Sequence, residues 1–261
     1  MTHKIRVGVQ IQPQHASYGR MRAAALEAEE RGVDVVFNWD HFYPLFGEPD
    51  GEHFECFTQL ASFAEATSRV EIGPLVLCNS YRNPNLVADM ARTIDHISGG
   101  RFILGIGAGW FERDYDEYGY EFGENPDRAR ALKESLPIIE RRLGLLNPAP
   151  MRKIPLLVAG GGEQVTLRLA ARHADIWHGF GDPDTLRHKH SVLDSWCERE
   201  GRDPDAIERS TAVGDQRSDV SYGDDLLAVG STFITFGVDG PDYDMAWMGE
   251  WTRWRDERNG N

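Results

Sequence analysis

The chain has 261 residues, enough to bury one sizeable core, and its 41% hydrophobic and 27% charged content is ordinary for a globular protein. A formal net charge of −14 argues against nucleic acid or an anionic membrane as the main partner, although clustered backbone N–H groups can still hold an anionic cofactor locally. No run approaches the roughly 18 apolar residues of a membrane span. The three cysteines, Cys56, Cys78 and Cys197, form no CxxC pair and no ligand spacing, which argues against a disulfide framework or zinc site and fits a reducing cytoplasm.

Residues 5–11 (Ile-Arg-Val-Gly-Val-Gln-Ile) read as a first strand, entered at once and leaving no room for a signal peptide. Residues 18–31 form a helix rich in Ala, Glu and Arg that Gly32 is placed to end, and 33–37 a near-continuous apolar strand of the kind buried on both faces. A helix over 54–67, a strand over 70–78 and a helix over 85–97 follow. The second half continues with strands at 101–107, 155–159, 174–178, 206–213 and 231–236, separated by helices at 127–146, 163–173, 184–200, 224–229 and 243–258. Strict alternation predicts an α/β fold with a parallel sheet covered by helices. Eight strand–helix pairs favour closure into a single (β/α)8 TIM barrel, with an open sheet left as the alternative by the weak patterning of the last two strands. No linker or repeat divides the chain, so residues 1–261 are expected to form one domain. The longest irregular stretch, 110–126, is aromatic and acidic, and a loop of that length is more often functional than incidental.

Three segments that follow predicted strands carry candidate chemistry. Asp40-His41-Phe42 places a titratable imidazole where a barrel keeps its active site; a surface-loop histidine explains the position equally well. Gly107, Ala108 and Gly109, followed by Trp110, let a backbone approach a flat ligand or simply turn at the rim; the GxGxxG order is not met. Gly160, Gly161 and Gly162 join a strand to a helix, a geometry that gathers free N–H groups for a phosphate, with Glu163 expected to face away. Trp39, Phe42, Tyr43 and Phe46 either wall a pocket or pack their loop, and Cys78 ends a strand at the same rim. The acidic run 112–121 reads as a solvated loop face, and Trp247, Trp251 and Trp254, at helical spacing, as core or a dimer interface. GxSxG is absent, so no hydrolase elbow is present.

Taken together, Asn38-Trp39-Asp40-His41-Phe42, Arg82-Asn83-Pro84, the run 98–110 with Tyr115, Tyr118 and Gly119, and the run 159–177 resemble the luciferase-like monooxygenase superfamily, in particular its short members that use the deazaflavin coenzyme F420. The resemblance covers nearly the whole chain. It implies a barrel holding a flavin or deazaflavin at its C-terminal mouth, with His41 in the acid/base role and Asp40 at the ring. It also implies a non-prolyl cis peptide near Leu75 and Val76 beneath the ring, Gly107–Gly109 against the cofactor, and Gly160–Gly162 at its phosphate, with Trp39, Cys78 and Trp110 walling the site. The implied activity is hydride transfer between F420 and a small organic substrate. Alternatives are an FMN-dependent monooxygenase using oxygen and a non-catalytic flavin-binding barrel. A homodimer is plausible by resemblance. Trp110 stands where some dehydrogenases of this family carry a carboxylate, and lysines to neutralise a substrate phosphate are scarce: Lys189 alone follows Lys153.

Overall fold

Side-chain alternation along the first strand sets up the architecture. The computed structural model describes residues 3–260. In β1 (Arg6–Ile11), Val7, Val9 and Ile11 pack outward against helices, while Arg6 and Gln10 face inward. The chain continues through α1 (Tyr18–Glu30), β2 (Val35–Asn38), α2 (Cys56–Ala66), β3 (Glu71–Pro74), β4 (Leu77–Cys78), α3 (Pro84–Ser98) and β5 (Leu104–Gly107). It then runs through α4 (Glu112–Tyr118), α5 (Asn125–Leu143), β6 (Leu156–Ala159), α6 (Thr166–His173), β7 (Ile176–Gly179), α7 (Pro183–Glu200), β8 (Glu208–Val213), α8 (Tyr222–Ala228), β9 (Phe233–Val238) and α9 (Met248–Asn259).

All the strand pairings are parallel, in the order β3-β2-β1-β9-β8-β7-β6-β5-β4. β3 and β4 are two pieces of the single strand expected over 70–78, parted by a cis peptide between Leu75 and Val76. β3 pairs with β2 and β4 with β5, and a parallel bridge between Ile72 and Phe102 closes the ring at the seam, where Ile103 N donates to Ile72 O at 2.8 Å. The result is the expected TIM barrel.

The barrel interior is layered. At the N-terminal end, the Arg6 guanidinium donates to the carboxylates of Glu71 and Glu208 and lies 4.2 Å from the Phe233 ring centre. Above this plug, Val35, Phe37, Ile103, Leu157, Ile176 and Phe233 fill the waist as an apolar cluster. Only the C-terminal end is left for a site.

Three expectations need correction. The stretch 110–126 is not wholly irregular: it contains α4, and while Glu112, Asp116, Glu117 and Glu121 in the acidic run are exposed as expected, Asp114 and Tyr115 are fully buried. The helix expected from 163 begins at Thr166, because residues 163–165 form a turn after the glycines. The last helix starts at Met248 instead of 243. Trp251 and Trp254 are buried in the core against Phe236 and each other, so these tryptophans carry no argument for a dimer.

The seam leaves no room for side chains. A Cβ at Gly73 would collide with the carbonyl oxygen of Ile103, and one at Gly105 with that of Pro74. Gly105→Ala should therefore lower the unfolding free energy by about 1–3 kcal/mol through overpacking. The matched control is Gly249→Ala, a helical position with open space around it, which should leave stability unchanged or raise it by up to about 1 kcal/mol. Urea unfolding midpoints compare the two; equal midpoints would contradict the seam assignment.

Candidate active site

A cavity of about 440 Å3 opens at the C-terminal ends of the strands, a size suited to a small ligand. Its wall is largely apolar, with Leu45, Leu75, Val76, Leu77 and Ala108 contributing, and its polar groups come from Gln10, Gln12, His41, Tyr81, Thr166 and His178. Three large aromatic rings at the mouth, Phe46, Trp110 and Phe180, are 61%, 63% and 65% exposed. Apolar surface left open in this way around a concave wall marks an interaction site.

His41 lies just past β2 and reaches the cavity. Its Nδ1 is 2.7 Å from Asp114 Oδ2, which leaves Nε2 as the ring nitrogen without a partner among the described residues. Trp39, Trp110 and Phe111 stand edge-on around the imidazole, with ring centres 5.8, 5.7 and 5.4 Å away. Asp114 is fully buried and accepts further hydrogen bonds from Tyr81 OH (3.1 Å), Phe42 N (3.1 Å) and Tyr43 N (3.2 Å). A carboxylate hydrogen-bonded to one imidazole nitrogen fixes the ring's tautomer and orientation. The surface-loop reading of His41 is thereby replaced by an oriented imidazole at a cavity.

What holds Asp114 there is its neighbour in sequence. The buried Tyr115 hydroxyl lies 3.0 Å from Cys78 Sγ and donates to Ser80 Oγ at 3.1 Å, fastening α4 to the end of β4. Gly109, at φ 87°, passes so close that a Cβ would collide with both Tyr115 OH and Cys78 Sγ. Phe42 stacks on Tyr118 with ring centres 3.9 Å apart and closes the aromatic layer outside. Of the aromatic residues after β2, Trp39 and Phe46 thus line the cavity, and Phe42 packs the loop.

Asp40 touches the cavity, yet its carboxylate is already engaged. Arg82 pairs with it in a bidentate fork at 2.6 and 2.9 Å, and Cys78 N donates at 3.0 Å. Burial pushes the Asp40 carboxyl up, and the Arg82 guanidinium opposes that shift. Arg82 also reaches Glu55 at 2.7 Å; Asn83 then caps α3 by accepting from Asn85 N, and Pro84 opens the helix. Arg82-Asn83-Pro84 therefore acts as a fastener for Asp40 and the helix start.

Leu75, Val76, Cys78, Gly107, Ala108, Gly109, Trp110 and Gly160 all line the cavity. Gly161 and Gly162 do not; they are exposed beyond its edge, on the way to α6. The amides of residues 161–166 make no backbone hydrogen bond among the described residues, so they form a bank of free donors. Glu163 turns away as expected, pairing with Lys189 (2.6 Å) and His188 (3.0 Å), and Lys189 Nζ also donates to Gly161 O at 3.0 Å.

Sequence reading missed Asp114, Tyr81, Gln10, Gln12, His178 and Phe180. His178 stands on β7 and is fully buried; its Nδ1 is 2.9 Å from Ser210 Oγ, and its ring meets Phe180 edge-on. Among the described residues, no group of three or more His, Cys, Asp or Glu side chains could hold a metal, and no helix is long and apolar enough to cross a membrane.

This barrel with its mouth-side imidazole belongs to a known class: residues 1–218 match the family model for luciferase-like monooxygenases, and the chain is a member of that family. Among its relatives is a protein of Kineococcus radiotolerans named F420-dependent glucose-6-phosphate dehydrogenase, 30% identical over 188 residues, which covers 66% of this chain and 55% of that one. A pyrimidine monooxygenase, RutA of Agrobacterium fabrum, is 25% identical over 230 residues, 79% of this chain and 63% of its own. The chain thus spans little more than half the length of curated relatives that it matches. Among solved structures, an F420-dependent secondary alcohol dehydrogenase in complex with an F420-acetone adduct superposes with a TM-score of 0.86 over 97% of this chain and 99% of that one. At 17% identity this shows a shared fold.

Buried histidines set an acid limit on stability. Burial pushes the imidazoles of His53, His178 and His190 down, to about 4, about 3 and about 4. His53 is an acceptor in that neutral form, its Nε2 accepting a hydrogen bond from Trp39 Nε1–H at 3.0 Å. Each group is neutral in the fold but charges in the unfolded chain below its ordinary value near 6.5, so the unfolded state binds more protons in that window. Stability is complete above pH 6.5 and falls as the pH drops toward the folded values, by roughly 1.4 kcal/mol per pH unit for each group. Urea midpoints measured from pH 7.5 to pH 5 should decline below 6.5; a flat profile contradicts the burial of neutral imidazoles.

Proposed function

We propose that this chain is an oxidoreductase that moves a hydride between coenzyme F420 and a small organic substrate in the cavity at the barrel mouth. The observation that carries the reading is the His41–Asp114 hydrogen bond beside a cavity whose rim also offers a glycine wall and a bank of free amides. F420 is preferred over FMN because relatives named F420-dependent are 28–32% identical over 58–80% of this chain, while relatives named monooxygenases are either 25% identical or, at 31%, matched over 48% of it.

The residues present fit such a cofactor. Gly107 leaves the β5 wall bare, with Val76 as its neighbour, so a flat ring can lie against backbone. Gly160, at φ 128°, turns the chain out of the cavity, and the amides at 161–166 would hold a phosphate at the start of α6. When bound, F420 would supply hydride exchange at its C5 carbon. His41 would take the accompanying substrate proton on Nε2 or return it in the reverse direction, with Asp114 keeping Nδ1–H in place and stabilising the imidazolium. Trp39, Phe46 and Trp110 would exclude water from the bound pair. Asp40, occupied by Arg82, would shape the wall beneath His41 instead of titrating.

Fluorescence titration with F420 and with FMN tests the cofactor assignment. Binding of F420 in preference to FMN is expected; preference for FMN moves the protein to the monooxygenase reading, and failure to bind either removes both. His41→Ala should cut hydride transfer by about 10²–10⁴-fold with cofactor affinity kept. Asp114→Asn should lower kcat by at least tenfold and alter the pH profile of kcat/KM, because the amide can no longer hold the same tautomer. Turnover indifferent to both substitutions would remove His41 and Asp114 from the chemistry, and F420 or FMN binding with no turnover of any substrate would leave a flavin-binding barrel without catalysis.

A further inference from the structure

The cavity contains two polar side chains that the hydride-transfer chemistry leaves unused. His178 is fully buried, and its Nε2 has no hydrogen-bond partner, while Nδ1 is taken up by Ser210. Gln12, just past β1 and 8% exposed, has a buried, unpartnered Oε1, and its side-chain amide makes no hydrogen bond among the described residues. Both residues line the cavity, and both approach from β1 and β7, away from the β4–β5 wall and its glycines. Buried polar groups are almost always paired; of the unpartnered buried side-chain atoms among the described residues, these two belong to side chains in the wall of one cavity, where a ligand atom can pair with them.

The chemistry of this corner is specific. The wall carries neither Lys nor Arg among the described residues, and its one carboxylate, Asp40, is paired with Arg82. Lys189 sits outside, on Gly161 and Glu163. Burial pushes the His178 imidazole down to about 3, so at neutral pH it offers one donor or one acceptor and no charge. The Ser210 hydroxyl can rotate to serve either tautomer. An anionic substrate group placed here would lose its water and gain no counter-charge. A hydroxyl can answer both kinds of orphan, donating to Gln12 Oε1 and accepting from His178 Nε2–H, and a carboxamide does so through its N–H and its oxygen.

We propose that Gln12 and His178 form a substrate subsite for an uncharged molecule carrying a hydroxyl or carboxamide group away from its reacting carbon, and that phosphorylated and carboxylated substrates are excluded. This rests on the F420 reading, in which the β4–β5 wall is taken by the cofactor ring. It separates this chain from a sugar-phosphate specificity in spite of the names of its relatives.

Saturation-transfer NMR on the F420-loaded protein tests it, with glucose and glucose 6-phosphate, dihydroxyacetone and its phosphate, and lactamide and lactate as paired probes. Cofactor affinity is measured first by fluorescence, so failure of the F420 reading shows itself before any probe is added. The expected result is saturation transfer to neutral members only, weakened about tenfold or more in His178→Phe and in Gln12→Leu. Cofactor affinity should be unchanged in both variants, which also shows that they fold. Binding of an anionic member as well as its neutral partner, no neutral binder at all, or unchanged probe binding in the variants overturns the proposal. A loss of F420 affinity in either variant also overturns it, since the pair would then belong to the cofactor.

Discussion

A carboxylate taken out of water has to collect donors, and Asp114 meets that demand from two directions. It draws the His41 imidazole and the amides of Phe42 and Tyr43 from the loop after β2, and the Tyr81 hydroxyl from the segment after β4. Its own position depends on α4, which is pinned by Tyr115 to Cys78 and Ser80. One buried group thus binds the loops of three successive strand units into a single rim. Removing a donor or the acceptor would leave the others unsatisfied, which is why the arrangement behaves as a unit.

The barrel below reverses the usual gradient of a protein core. Its outward faces are apolar and meet the helices, whereas inside there is a charged plug, an apolar waist and then a polar mouth. Arg6 can be accommodated because two carboxylates neutralise it and an aromatic ring covers it. At the mouth the polar groups are only partly satisfied, with Gln12 Oε1 and His178 Nε2 left alone as some buried atoms elsewhere in the fold are. Proteins retain such unpaired atoms where binding repays them.

Alternation of strand and helix made the barrel legible, because eight units of the correct length close in only one common way. His41 and the glycine runs were legible from their position after strands. Asp114 was not: in a run containing Glu112, Asp116 and Glu117, charge alone cannot say which carboxylate turns inward. The aromatic residues around it, Trp110, Phe111, Tyr115, Tyr118, Tyr120 and Phe122, were the available signal that this stretch packs against something. Gln10 and Gln12 alternate with Val9 and Ile11, and a polar residue at every second place of a buried strand means a polar interior. His178 is the last residue but one of β7 and His41 follows β2, so the positional argument applied to one would have found the other. The role of Arg82 depends on a side chain folding back to Asp40, a long-range pairing that no local pattern encodes.

The charged plug has a kinetic meaning. With Arg6, Glu71 and Glu208 sealing one end and the waist filled solid, the vessel is blind, and everything that enters must leave by the same door. Were two reactants to share such a chamber, as the proposed function requires, the one seated deeper would have to arrive first and depart last. Order of addition is then a property of the plumbing, imposed by three ionic side chains at the far end from any chemistry.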